Sequence, residues 1–267
     1  MAFKGKTPTV KISVITAAYN SAATIAHTIE SVLAQTHRDI EYIVADGLSS
    51  DSTMDIVDSY AARFGGRLVR ISGKDGGIYH AMNKGLAAAT GDVVGFLNSD
   101  DFFTSPDILS EVARNMAAPG VDAVYGDVHF VREGDLGRCV RYYSSARFRP
   151  WALRFGFMPA HPSLYAKRSL YARVGGYDTS YKLAADYEMA VRMFVKAGAK
   201  GRYIPRDFVT MRTGGASTRG AAARLTLLRE DVRACRSNGV YTNTLMVATK
   251  YTWKIFEFVG NGKKTKH

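Results

Sequence analysis

Val93-Val94-Gly95-Phe96-Leu97-Asn98-Ser99-Asp100-Asp101 is the stretch on which the reading of this chain turns. Its first five residues are apolar or small, as in a strand buried on both faces by flanking helices. The polar turn that follows places two adjacent carboxylates at the strand's carboxyl end, where open α/β sheets hold their ligands. Two neighbouring carboxylates are costly to keep together without a cation, and hard oxygen donors suit Mg2+ or Mn2+ bridging a diphosphate. A solvated acidic turn capping the next helix would use the same residues, and spacing alone leaves both readings open.

Upstream, short β-rich runs alternate with helical patterns. Val10 to Thr16, Ile40 to Ala45 and Leu68 to Ile71 read as strands. Thr24 to Ala34 reads as a helix with Ile25, Ile29, Val32 and Leu33 on one face, the pattern from Met54 to Phe64 as a second, and Ile78 to Ala88 as a third. Pro106 stands where a first-turn proline would open another. This alternation predicts an α/β fold with a largely parallel, Rossmann-like sheet flanked by helices. Downstream, Ala123 to Val131 and Cys139 to Tyr143 bracket Glu133-Gly134-Asp135-Leu136-Gly137, which predicts a hairpin and makes the sheet mixed. Ala184 to Ala197 is helical again, and Gly214 to Gly220 breaks the pattern before a basic C-terminal stretch.

The 267 residues are 46% hydrophobic, enough for a sizeable core, and carry 36 Lys and Arg against 24 Asp and Glu, a net charge of +12. That excess calls for a partner with negative charge: nucleic acid, an anionic membrane or a phosphorylated substrate. Cys139 and Cys235 are far apart and lack metal-ligand spacing, so neither a disulfide framework nor a zinc site is expected. No apolar run has the length of a secretory signal or a bilayer span, so a soluble or peripheral chain is expected.

Other strand ends resemble the acidic turn. Asp46 closes Ile43-Val44-Ala45-Asp46-Gly47, and the first strand ends in Thr16-Ala17-Ala18-Tyr19-Asn20. Three polar strand ends along one edge are what a ligand crevice requires, although Asp46-Gly47 is also a good turn and Asn20-Ser21 a good helix start.

In this order, SVITAAYN (from Ser13), VADGLSSDST (from Val44), DGGIYHAMNKG (from Asp75), GDVVGFLNSDD (from Gly91) and LAADYEMAVRM (from Leu183) resemble the family 2 inverting glycosyltransferases of GT-A fold. The resemblance runs from about Lys11 to Ser217 and is strongest to bacterial enzymes of exopolysaccharide, capsule or O-antigen synthesis, which share the late RTGGAST-like segment from Arg212. It implies a nucleotide-diphosphate sugar as donor and Mn2+ or Mg2+ as cofactor. Asp46 matches the acid that bonds the nucleobase, with Thr16 and Tyr19 beside it. Asp75, Asn83 and Lys84 fall in the segment lining the donor pocket, although Lys84 also reads as a helix-surface lysine. Asp100 matches the ribose contact and Asp101 the metal ligand of the DXD-type motif. Asp186 matches the base that deprotonates the acceptor hydroxyl, a task an ionised carboxylate can perform. The usual acidic pair is here Ala185-Asp186, so the first acid is missing, and Asp186 also reads as a helix cap. Asp127 could touch the donor sugar or be an exposed strand acid, and His161 could serve the acceptor or the fold. One base without a second placed carboxylate suits a single displacement with inversion.

Arg147 to Phe155 mixes arginines with Phe148, Trp151 and Phe155, and Tyr251 to Phe258 precedes the basic tail Lys263-Lys264-Thr265-Lys266. Such segments suit an anionic membrane surface, or packing on the domain or on a second subunit as a homo-oligomer. The resemblance supplies an acceptor that fits the membrane reading, a glycan on a polyprenyl diphosphate, at the cytoplasmic face of the plasma membrane. The expected organisation is a GT-A domain over residues 1–218 and a basic, aromatic-containing helical extension over 219–267. Two competing readings are a nucleotidyltransferase acting on sugar phosphates, which should show a glycine-rich phosphate loop after the first strand, and a nucleic-acid-binding protein, which carboxylates in the crevice oppose.

Overall fold

The computed structural model describes residues 10–214 and 220–252. Trp253 to Phe258, the tail lysines and the 215–219 part of the glycine-containing break lie outside the described residues.

Four strands, β1 (Ile12–Ala18), β2 (Ile40–Asp46), β3 (Leu68–Ser72) and β4 (Val93–Phe96), run parallel in the order β3-β2-β1-β4. Ile12 pairs with Ile40 on one side and with Val93 on the other. The helices joining them are α1 (Ile25–Leu33), the pair α2 (Thr53–Ser59) and α3 (Ala61–Phe64), and α4 (Ile78–Ala88). Strand order reverses between β1 and β4, so the crevice at their carboxyl ends is the switch point where such sheets bind ligands.

The sheet continues with β5 (Phe102–Phe103), the hairpin β6 (Ala123–Arg132) and β7 (Asp135–Tyr143), β8 (Tyr165–Lys167) and β9 (Gly201–Arg212). Beyond β4 the order is β8-β6-β9-β5, with β7 on β6. β8 pairs antiparallel with β4 and β6, whereas β9 runs parallel to β6, so the sheet is mixed as expected. The remaining helices are α5 (Ile108–Met116), α6 (Arg168–Val174), α7 (Ala185–Val191), α8 (Gly220–Ser237) and α9 (Thr244–Ala248).

The period of two along β1 sorts its side chains between two cores. Ile12 and Val14 pack with Ile25, Ile29 and Val32 of α1 and with Leu109 and Val112 of α5. Ile15 and Ala17 pack with Tyr79 and Met82 of α4, with α7, and with Ala234 and Cys235 of α8. The C-terminal helix α8 is thus part of the same core as the strands. Gly85 lets α4 approach: a Cβ there would stand 2.3 Å from Ile15 Cγ2, so any side chain would push the helix off the sheet.

Three elements depart from the sequence reading. The helix expected over Met54 to Phe64 divides at Tyr60 and closes on Gly65 in the left-handed conformation, φ 57°. The hairpin turn is tighter than the bracketed five residues, because β7 already begins at Asp135 and register irregularities at Phe130 to Arg132 absorb the offset. β9, twelve residues long, was not expected. Its Pro205 interrupts the strand pattern and lies within a bulge, between Tyr203 opposite Tyr125 and Asp207 opposite Asp127, where a proline forfeits no ladder bond. In the C-terminal part, α9 starts at Thr244, where Asn243 caps it by accepting the Met246 N–H at 2.9 Å.

Candidate active site

The loops after β1 and β2 are stitched together at the crevice. Ser49 Oγ accepts the Asn20 N–H at 2.8 Å, and Asn20 Oδ1 accepts the Ser50 N–H at 2.9 Å. Asn20 and Leu48 hold positive φ values of 48° and 63°, which costs a residue with a Cβ about 1 kcal/mol each. Such strain gathers at ligand sites, where surrounding bonds hold it in place.

Asp46, at the end of β2, is 1% exposed. Its carboxylate accepts from Ser49 Oγ at 2.5 Å, from the Ser49 N–H and from Ser72 Oγ at 2.9 Å. Thr16 is buried below it, its Oγ1 taking the Tyr42 hydroxyl at 3.0 Å. Tyr19 is 66% exposed, a free aromatic face at the rim. A Cβ on Gly47 would meet Asp75 Oδ2 at 3.3 Å and the Tyr19 ring at 3.4 Å, so Tyr19, Gly47 and Asp75 converge on one spot. Lys84 Nζ donates to Gly73 O at 2.6 Å and lies 3.5 Å from Asp75 Oδ2. An open concavity of about 670 Å3 runs along this segment, lined by Lys74, Asp75, His80, Asn83 and Lys84. Within it Asn83 is committed to the fold: its Nδ2 donates to Tyr177 O at 2.8 Å and its Oδ1 accepts the Tyr177 N–H at 2.7 Å.

The acidic turn after β4 is held by α1. Thr24 Oγ1 donates to Ser99 O at 2.9 Å and Thr28 Oγ1 to Asp101 O at 2.8 Å. Asp101 is 1% exposed; its oxygens accept from Asn98 Nδ2 at 2.8 Å and from the Arg212 N–H at 3.3 Å. Asp100 is more open. Arg212 donates to the Asp100 carbonyl and stacks over Phe102, tying the end of β9 to the acidic turn. Burial pushes both carboxyls above the usual range, Asp101 well above it, with the Asp100 charge adding to the effect on Asp101. The Arg212 guanidinium opposes the shift at both, yet burial outweighs it, and two desolvated carboxyls on adjacent residues are a setting that a divalent cation would relieve. Among the described residues no group of three or more His, Cys, Asp or Glu could hold a metal alone. Asp100 and Asp101 are the carboxylates that could contribute oxygen ligands to a cation at this turn.

Asp186 lies in the first turn of α7, half-buried. The Tyr187 N–H donates to its Oδ1 at 2.8 Å, and the Tyr79 hydroxyl approaches at 3.5 Å. Burial raises its pKa, opposed by those hydrogen bonds and by the Lys250 ammonium. Tyr79 follows the Asp75 loop on α4, so the donor segment reaches Asp186 within one helical turn. His161 Nε2 is 2.9 Å from the Tyr177 hydroxyl, its ring against Phe96 at 5.5 Å, and burial lowers its pKa to about 4. It is neutral at physiological pH.

The Asp127 carboxylate is bonded into the fold. Rather than exposed it is 4% exposed, and it accepts from Tyr142 and Tyr203 hydroxyls at 2.8 Å, from Ser144 Oγ at 3.0 Å and from the Ser145 N–H at 2.7 Å. The sequence reading did not single out Tyr79, Arg212, Glu230 or Lys250. Tyr79 and Arg212 sit inside quoted motifs, whereas Glu230 and Lys250 reach the site only through tertiary packing.

This geometry has counterparts. The sequence profile described as glycosyl transferase family 2 matches residues 13–172, more than half of the chain, which belongs to that family. It is a glycosyltransferase with the GT-A fold. A PGL/p-HBAD biosynthesis glycosyltransferase of Mycobacterium bovis is 32% identical over 193 residues, covering 72% of this chain and 73% of the relative. A glycosyltransferase of Mycobacterium tuberculosis is 35% identical over 182 residues, 68% of each chain. Among solved structures, S. aureus TarS superposes with a TM-score of 0.67 at 18% identity, covering 96% of this chain; the chain spans 46% of the TarS length. The mannosyltransferase PcManGT of Pyrobaculum calidifontis, in complex with GDP-Man and Mn2+, gives a TM-score of 0.61 at 18% identity, over 93% of this chain and 80% of that one.

Proposed function

We propose that the chain transfers a sugar from a nucleotide-diphosphate donor to a hydroxyl of a glycan acceptor in one inverting, cation-assisted displacement. The observation that carries this reading is the pair of desolvated carboxyls Asp100 and Asp101 at the switch point, Asp101 fully buried, with Asp46 and Asp186 each reached by the segment that opens α4. Tyr19 stacks on the base and Asp46 accepts its ring N–H. Asp100 holds the ribose and, with Asp101, would hold Mn2+ or Mg2+. When bound, that ion neutralises charge on the departing diphosphate. Lys84 and Arg212 add fixed positive charge at the same edge. Asp186, ionised, takes the proton of the acceptor hydroxyl. Support comes from the PcManGT complex with GDP-Man and Mn2+ and from a TarS complex with UDP-GlcNAc. Family membership sets aside the nucleotidyltransferase and nucleic-acid readings.

Residues 1–218 form the transferase domain in this reading, and 219–267 an extension. The acceptor is a lipid-linked glycan met at an anionic membrane. Trp151 is 64%, Tyr241 71% and Leu245 79% exposed, carried by a 3-10 turn and the α9 region that pack on each other and flanked by exposed Arg147, Arg149 and Arg154. Among the described residues no helix is long and apolar enough to cross a membrane. The test is nucleoside diphosphate release from UDP-, GDP- and dTDP-sugars with Mn2+ or Mg2+, with and without polyprenyl-diphosphate-linked glycan. Stimulation by the lipid-linked acceptor for one donor is expected, and release from none of the donors would defeat the proposal.

A further inference from the structure

The approach to Asp186 is held from a distance. Ala184, the residue preceding α7, offers no capping side chain, so no side chain of its own turn takes the amide at the start of the helix. Glu230 of α8 supplies one from 46 residues away. Its carboxylate, 8% exposed, accepts the backbone N–H of Lys182 at 2.8 Å, Leu183 at 2.9 Å and Ala184 at 3.0 Å. An ionised acceptor taking three amide bonds away from solvent is a strong, directional hold. On the next residue of α8, the buried Asp231 pairs with Lys250, whose charge reaches Asp186. The C-terminal helices therefore shape the backbone leading to Asp186 and contribute to the field around it.

We infer that Glu230 is a positioning residue for Asp186, fixing the 182–184 backbone so that the α7 carboxylate meets the acceptor hydroxyl in reacting geometry. This rests on the reading of Asp186 as the base.

The experiment compares full-length wild type, Glu230→Gln, Glu230→Ala and Asp186→Asn. It reads turnover of UDP-GlcNAc and GDP-mannose, UDP and GDP binding by calorimetry, and amide hydrogen exchange. Glu230→Ala is expected to lower kcat about 100-fold, the scale of a 1 Å misplacement, with nucleotide affinity within about twofold of wild type. Exchange at 182–184 should quicken while 46–49 stays protected. Glu230→Gln keeps one accepting oxygen, so its losses should be smaller in both readouts. Unchanged exchange at 182–184 in Glu230→Ala overturns the inference, whatever the turnover. So does a Glu230→Gln variant that loses nucleotide binding in step with kcat, which would make the residue a general support of the fold. Full turnover in Asp186→Asn removes the base reading and leaves the exchange result standing. Lost turnover there, with normal kcat in both Glu230 variants, overturns this inference alone.

Discussion

The two ends of the crevice are built in opposite ways. At the donor end the acids are held mainly by their own turns: Asp46 by Ser49, three residues on, and Asp101 by Asn98, three residues back. At the acceptor end Asp186 takes the Tyr187 N–H beside it, but the backbone leading into its helix is held by Glu230, 46 residues away, and the Tyr79 hydroxyl approaches from α4 at 3.5 Å. Turn chemistry can preform a nucleotide site on the rim of a sheet. A base that must reach a second substrate is placed by tertiary packing, so the acceptor end is the more easily displaced.

The largest expected effect breaks that comparison at its distal end. Asp186→Asn should lower kcat by roughly 10²–10⁴, the range for a general base, while UDP or GDP affinity stays near wild type. Because burial raises the Asp186 pKa, the base is protonated at a pH where an ordinary carboxylate is ionised. Turnover should therefore fall with decreasing pH through a limb above roughly 4, and stopped assays of kcat across pH read it. Full turnover in the variant would leave the acceptor end without its base.

Next is the donor end. The raised pKa of Asp101 means that its contribution to stability is present at low pH and is lost as pH rises through the raised value, since the folded state then holds an uncompensated buried charge. Asp101→Asn should accordingly raise the melting temperature of the metal-free protein at neutral pH. Mn2+ with UDP should raise that of wild type and leave the variant nearly unmoved, with donor affinity in Mn2+ falling by about 10-fold or more. Thermal melts with and without cation decide it, and an undiminished Mn2+ response would free Asp101 from the metal role.

The same contrast explains what the sequence disclosed. The β3-β2-β1-β4 half was legible because each strand is a short apolar run and each helix keeps its period, down to the Ile78 to Ala88 boundaries of α4. Asp46 and the Asp100-Asp101 turn were legible for a related reason: turn residues beside strand ends are local signals. β9 was not, because Pro205 and Arg206 interrupt its alternation and only the bulge opposite β6 accommodates them. Glu230 carries no local mark at all, being one acid among several charges on an amphipathic helix. Asn83 lies inside a legible motif, yet its side chain serves the Tyr177 backbone, a partner 94 residues away that no spacing announces.

A smaller effect sharpens the boundary of the site. Asp127 gathers four donors, so Asp127→Ala should strand several of them and cost about 3 kcal/mol, which lowers the melting temperature by roughly 6–12 °C in a chain of this size. Donor KM should hardly change. A large rise in donor KM with little thermal effect would instead return Asp127 to the sugar pocket.

The smallest effect concerns the exposed face next to the acceptor end. Trp151 and Leu245 are exposed, so replacing either with Ala should leave the melting temperature within about 1 °C, as for surface sites generally. On a membrane interface each side chain would bury only part of its apolar area, worth about 1 kcal/mol, so each substitution should weaken flotation with phosphatidylglycerol vesicles about fivefold. High salt should weaken it further, because arginines flank the patch and their attraction to anionic lipid is screened. Loss of self-association in Trp151→Ala with flotation intact would assign the patch to a second copy of the chain. The acceptor end would then be completed by a subunit instead of a bilayer.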